Sequence, residues 1–191
     1  MKRENDPATD VTFATGAKRE ALDPAKKPAM ELISPLFMRR FSAITPEEVR
    51  HVLEKLRKPT RSETLLAFWT AVLLSAGTTP AETRSLMWTL LARVWDVIAY
   101  GGRPGKVSDA LLEALGAWCG LGALKYASRN WEKGVPLSRS LGSCLRHIEK
   151  IRLGDTSEDH RAAVTWNLMA LDHTQEVALD SADHAFRALD D

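Results

Sequence analysis

The 191-residue chain is poor in most of the features that would disclose a function class on first reading. It has only two cysteines, Cys119 and Cys144, both in apolar surroundings, which points to buried thiols of a reducing compartment rather than a disulfide framework. No Cys/His spacing reads as a zinc site. With 26 Lys and Arg against 25 Asp and Glu, the formal net charge is +1, so the global basic excess of a nucleic-acid binder is missing. The longest uncharged apolar run, residues 64–76, falls short of the ~20 residues that cross a bilayer. The next run is broken by Arg93 and Asp96. The N-terminal residues are charged and have neither the apolar stretch nor the small-residue cleavage site of a secretion signal. Together these absences predict a cytoplasmic protein with neither a membrane nor a nucleic-acid partner. Period-two alternation long enough for a sheet is also missing, as are internal repeats and low-complexity tracts.

What remains is a series of helix signals, and the length allows one domain with a core, or one domain carrying a large insertion. Residues 1–12 and 180–191 read as polar or acidic tails. Ser34 and Pro35 form a helix start, the hydroxyl capping free amides and the proline taking the first helical position. Thr45 with Glu47 and Glu48 opens a second helix, Ser62 a third and Thr79-Pro80 a fourth that ends at Gly101-Gly102. Ser108 opens a long helix in which Gly116 and Gly120 are expected to admit another helix backbone. A helix over 138–153 follows, stopped by Gly154. The last long helix is expected to start at Thr156 or Ser157, where Asp159 three residues on has capping-box spacing. The fold class is therefore all-α, a helical bundle with an inserted helical subdomain.

The polar chemistry is concentrated in residues 122–167, and its charges are sorted. Residues 125–152 hold seven cations against two acids, whereas residues 155–191 hold nine acids against Arg161 and Arg187. If the two segments pack together, phosphate-binding cations lie beside metal-binding carboxylates. Charge pattern alone favours the plainer reading, two solvated helix faces that attract each other.

Three blocks carry a family resemblance. The first is Thr15-Gly16-Ala17 with Arg19, then Glu31-Leu32-Ile33-Ser34-Pro35. The second is Gly122-Ala123, Lys125-Tyr126, Asn130-Trp131-Glu132-Lys133-Gly134 and Arg146-His147. The third is Gly154-Asp155, Glu158-Asp159-His160 and Trp166-Asn167. In order and local spacing they resemble a phage-associated family of dATP/dGTP diphosphohydrolases with MazG-like nucleotide pyrophosphohydrolase activity. The resemblance covers residues 13–41 and 121–178. It departs at the roughly eighty residues between the first two blocks, which read as a helical insertion, and at Ala163, where many relatives carry another histidine. On this division residues 13–41 and 106–179 form the hydrolase-like core and 42–105 the insertion.

The resemblance implies hydrolysis of a purine deoxynucleoside triphosphate, dGTP or dATP, to the monophosphate and pyrophosphate with a divalent cation, magnesium. In it Glu158 and Asp159 are the metal candidates; His147, His160 and Asn167 are the catalytic ones. Lys125, Lys133, Arg139 and Arg146 are candidates for phosphate, and Asn130 with Trp131 for the base. Each has a plain structural alternative: helix-terminal acids complement the dipole, and a buried asparagine ties helices together. Asp172 and Glu176 share a helix face and read as an exposed acidic pair or a carboxylate helix. The site is expected where the 125–133 loop, the Arg146 helix and the Glu158 helix converge. Apolar stripes leave room for a homo-oligomer. The competing function is a catalytically silent nucleotide-binding or protein-interaction protein that uses the insertion, with its Trp69, Trp88 and Trp95, as a partner surface.

Overall fold

A computed structural model describes residues 11–12, 18–19, 28–55 and 81–177. The fold is all-α. Its described helices are α1 (Pro35–Ala43), α2 (Pro46–Lys55), α3 (Ala81–Tyr100), α4 (Asp109–Tyr126), α5 (Leu137–Arg152) and α6 (His160–Val177), joined by 3-10 turns at Met30–Leu32 and Asn130–Lys133. Val11–Thr12, read from sequence as part of a tail, pairs antiparallel with Lys18–Arg19. The helix expected from Ser62, including Trp69, the Thr15-Gly16-Ala17 block and the acidic tail lie outside the described residues.

The caps read from the sequence set several helix starts. Ser34 Oγ accepts from Phe37 N at 3.2 Å with Pro35 at the first helical position. Thr45 and Glu48 cap each other's amides, Thr45 N to Glu48 Oε2 at 2.8 Å and Glu48 N to Thr45 Oγ1 at 3.3 Å, the reciprocal capping box. Ser108 Oγ accepts from Leu111 N at 3.1 Å at the start of α4. Gly116 does permit a close approach, but its neighbour is the turn at residues 28–32. Ala29 N donates to Gly116 O at 3.1 Å, and a Cβ on Gly116 would lie 2.9 Å from Met30 Sδ.

Helix α6 is the centre of the bundle, packed most extensively by α5 and α3 and then by α4. One hydrophobic core runs through all of them, from Phe37 and Phe41 of α1 through Trp88 and Trp95 of α3 and Leu111 and Leu115 of α4 to Cys144 of α5 and Leu168 of α6. Helix α3, part of the segment read as an insertion, is thus built into this core, and Trp95 Nε1 donates to Arg161 O of α6 at 3.3 Å. Central as it is, α6 buries His160, Thr165, Asn167, Asp172, Thr174 and Gln175. Polar groups in such a place must be matched by partners or kept for a purpose.

Candidate functional site

The turn from α5 into α6 is built by two carboxylates. Gly154, at φ 74°, ends α5, and Asp155 Oδ1 then accepts from Ser157 N at 2.8 Å. Asp159 Oδ1 accepts from Ala162 N at 2.9 Å, so Asp159 is the N-cap and α6 begins at His160 rather than at Thr156 or Ser157. The carboxylate three residues before an amide competes best for it when the chain has already turned, and the Asp155 turn does that. Asp159 is thereby directed to the backbone of its own helix.

Its neighbours converge on α5. His147 Nδ1 and His160 Nδ1 are 3.1 Å apart, and Glu158 Oε1 lies 3.6 Å from the first and 3.4 Å from the second. His160 is 3% exposed, and its other nitrogen, Nε2, faces Asp155 Oδ1 at 3.4 Å without hydrogen-bond alignment. Lys150 closes the outer side, its Nζ 3.6 Å from Glu158 Oε1 and 3.7 Å from Asp155 Oδ2. Burial pushes His147 below the ordinary imidazole value; Glu158 opposes this, and the cationic side chains around it reinforce it. The shift favours the neutral imidazole. Asp155 is held far below the usual carboxylate range, first by the Ser157 backbone amide and then by its other donors, so it is ionised.

Beside this cluster α5 and α6 form a basic cleft of about 290 Å³ lined by Val135, Arg139, Ser140, Ser143, Arg146 and Asn167, with Trp166 at its edge. The Arg146 guanidinium runs back along α5, where a Cβ on Gly142 would lie 3.4 Å from its Nη1. Asn167 Nδ2 donates to Ala163 O at 2.7 Å and to Ser143 Oγ at 3.4 Å. Its Oδ1 and Ser140 Oγ, on residues each 2% exposed, have no protein partner. A second cavity of about 240 Å³ shares Val135 and Trp166 with this cleft and is mostly apolar, lined also by Leu32, Cys119, Tyr126 and Trp131. Trp131 is held there by an edge contact with His173, ring centroids 4.8 Å apart.

The sequence candidates divide accordingly. Glu158, His147 and His160 come together; Arg139, Arg146 and Asn167 share the adjoining cleft, and Asn130 and Trp131 line the apolar cavity. Lys125 is turned over the Tyr126 ring at 4.9 Å, and Lys133 donates to Asn130 Oδ1 at 3.1 Å. Asp159 lines a depression with Asp155, Glu158 and His160, apart from the cleft of Arg146. The expected meeting of Arg146 and Asp159 across one cleft is thus replaced by a meeting of α5 with Glu158. Asp172 is buried and Glu176 exposed, and Arg40 of α1 spans both, Nη1 to Asp172 Oδ1 at 3.0 Å and Nη2 to Glu176 Oε2 at 2.7 Å. Sequence reading gave no role to Ser140, Ser143, Lys150 or Asp155. The i, i+3 and i+4 spacings from Arg139 and Arg146 were the available signal, since they put Ser143 and Lys150 on the same flank of α5.

Residues 102–181 match the family described as dATP/dGTP diphosphohydrolase, N-terminal. The likeness to that family is thus confined to this stretch, which is under half of the chain. The matched stretch starts just after α3 and takes in α4, α5 and α6, with every residue of the histidine cluster and the basic cleft. The first block of the resemblance, residues 15–35, lies outside it. Comparison with curated proteins and with solved structures yields no match. Among the described residues no helix is long and apolar enough to cross a membrane.

Proposed function

We propose that this protein hydrolyses a purine deoxynucleoside triphosphate, dGTP or dATP, to the monophosphate and pyrophosphate. The supporting observation is one of adjacency. The basic cleft with its two unpartnered buried oxygens opens beside an aromatic-lined apolar cavity, and both lie within or against the diphosphohydrolase stretch. Arg139 and Arg146 suit phosphate oxygens, because a guanidinium presents a planar fork of donors. Trp131, Tyr126 and Trp166 suit a purine, which is flat and apolar on its faces. A triphosphate laid across the shared Trp166 and Val135 rim has its phosphates near α5 and its base in the cavity.

In the reaction a water oxygen bonds to the α-phosphorus, the bond from that phosphorus to the bridging oxygen of the β-phosphate breaks, and pyrophosphate leaves. The arginines offset charge on the leaving group, and Asn167 Oδ1 is an acceptor able to orient a hydroxyl or water in the cleft. His147, His160 and Glu158 would hold a divalent ion, which when bound supplies positive charge and acidifies a coordinated water. Magnesium, the ion implied by the resemblance, prefers oxygen ligands, and two of the three convergent atoms are imidazole nitrogens. Magnesium is better suited to the triphosphate's own oxygens and belongs in this reading to the substrate.

A deoxynucleotide panel read as pyrophosphate release tests the proposal. Turnover of dGTP or dATP should fall about 100-fold in Arg146→Gln with helicity unchanged. Failure of every deoxynucleotide to yield pyrophosphate overturns it, and tight binding without turnover would assign the cleft to a silent nucleotide-binding protein instead.

A further inference from the structure

We infer that His147, Glu158 and His160 form a binding site for a borderline transition-metal dication of the zinc or cobalt type, selective against magnesium. This deepens the hydrolase reading, which has the same three residues hold a divalent ion, by naming the ion type, and its test needs no hydrolase activity. The three atoms form a nearly equilateral triangle with sides of 3.1, 3.4 and 3.6 Å. Tetrahedral coordination at about 2.0–2.2 Å spaces its ligand atoms by roughly 3.3–3.6 Å, so one ion reaches all three with almost no rearrangement and keeps a fourth position open. The donor set decides between ions. Two nitrogens and one carboxylate oxygen suit zinc, cobalt and manganese, whereas magnesium favours oxygens in an octahedron.

Two further features of the cluster fit a metal. An imidazole that binds a metal through one nitrogen commonly directs the other to a carboxylate, and His160 presents Nδ1 to the triangle and Nε2 to Asp155 Oδ1. Three electron-pair donors also crowd together here. Lys150 is the nearest counter-cation. Its side chain is 43% exposed on a flexible stem, so it can withdraw as the ion enters.

The test uses the full chain freed of metal with a chelator and titrated separately with Zn²⁺, Co²⁺ and Mg²⁺ by calorimetry, with the visible spectrum of the Co²⁺ form recorded. The expected result is one Zn²⁺ or Co²⁺ per chain, at least about 100-fold tighter than Mg²⁺, with the intense bands of low-coordinate cobalt. Glu158→Gln and, as a second variant, His147→Gln should each weaken Zn²⁺ about 10–100-fold, as should Asp155→Asn through the orientation of His160. Lys150→Ala should tighten binding, the opposite of what loss of a structural ion pair would do. Equal affinity for Mg²⁺ and Zn²⁺, or a Zn²⁺ affinity unchanged in both Glu158→Gln and His147→Gln, overturns the inference. No nucleotide enters the measurement, so loss of the hydrolase proposal leaves this result intact, and the reverse also holds.

Discussion

Two polar clusters, one where α3 meets the start of α4 and one at the turn from α5 into α6, are built on contrary principles. Asp96 of α3, fully buried, accepts from Arg93 Nη1 at 2.9 Å, from Ser108 N at 3.1 Å and from the Ser108 hydroxyl, while Arg93 Nη2 donates to the carbonyls of Arg103 and Pro104. Donors alternate with acceptors, and Gly102 seals the arrangement because a Cβ there would lie 2.7 Å from the Asp96 carboxylate. Such a knot staples α3 to the start of α4, with Arg93 Nε its one donor left without a hydrogen-bond partner. In the His147, Glu158 and His160 cluster, three possible ligand atoms converge beside an open depression. Similar residue types thus make a fastener in one place and a receptor in the other, and the difference is whether the groups complement one another or something absent.

Substitutions that separate stability from binding test that contrast. The largest loss of stability should follow Asp96→Ala, which strands a guanidinium that is 2% exposed. Urea unfolding should register about 3–5 kcal/mol. A loss under about 1 kcal/mol would mean that the knot is not a fastener. Gly102→Ala comes next, at about 1–3 kcal/mol, since the carboxylate it would strike is pinned by its three donors and cannot swing aside. Asp159→Ala should cost about 1 kcal/mol as a lost helix cap while Zn²⁺ affinity stays within about threefold. Strong loss of metal affinity there would restore Asp159 as a ligand. Glu158→Gln should change stability by less than about 0.5 kcal/mol, its carboxylate being 41% exposed, even though metal binding falls sharply.

The smallest effect at neutral pH belongs to the thiols. Burial pushes Cys119 and Cys144 up to about 12 from an ordinary 9.0. The unfolded chain therefore releases these protons at lower pH than the folded one, so stability is unaffected below about 9 and declines as pH rises from there toward about 12. A thiol reagent at pH 8 should label neither cysteine until the protein unfolds. Rapid labelling of the native protein would show that the core around α4 and α5 opens.

Where local chemistry suffices, the sequence was legible. Ser34, Thr45 and Ser108 are short oxygen-bearing side chains that reach amides three residues on, so their caps depend on nothing distant. The same holds for the all-α class and for the apolar stripe of α5. The α6 start was misplaced because Asp159 had two local uses, and the Asp155 turn selected between them. Arg40 could not be paired with Asp172 and Glu176 from the chain, since a contact across about 130 residues leaves no periodicity to read.

The sequence alone determined which groups were available: a basic α5, an acid-headed α6, and the second and third residue blocks, which lie within the family match over 102–181. Only the tertiary structure decided which of these groups meet. Glu158 faces two imidazoles while Asp159, one residue further along, faces its own helix, because Asp159 is the N-cap held by the Ala162 amide and Glu158 lies in the turn before it. The zinc-like triangle joins positions eleven to thirteen residues apart across a turn, and such spacing acquires meaning once α5 and α6 have packed and brought its nitrogen and oxygen atoms within 3.6 Å.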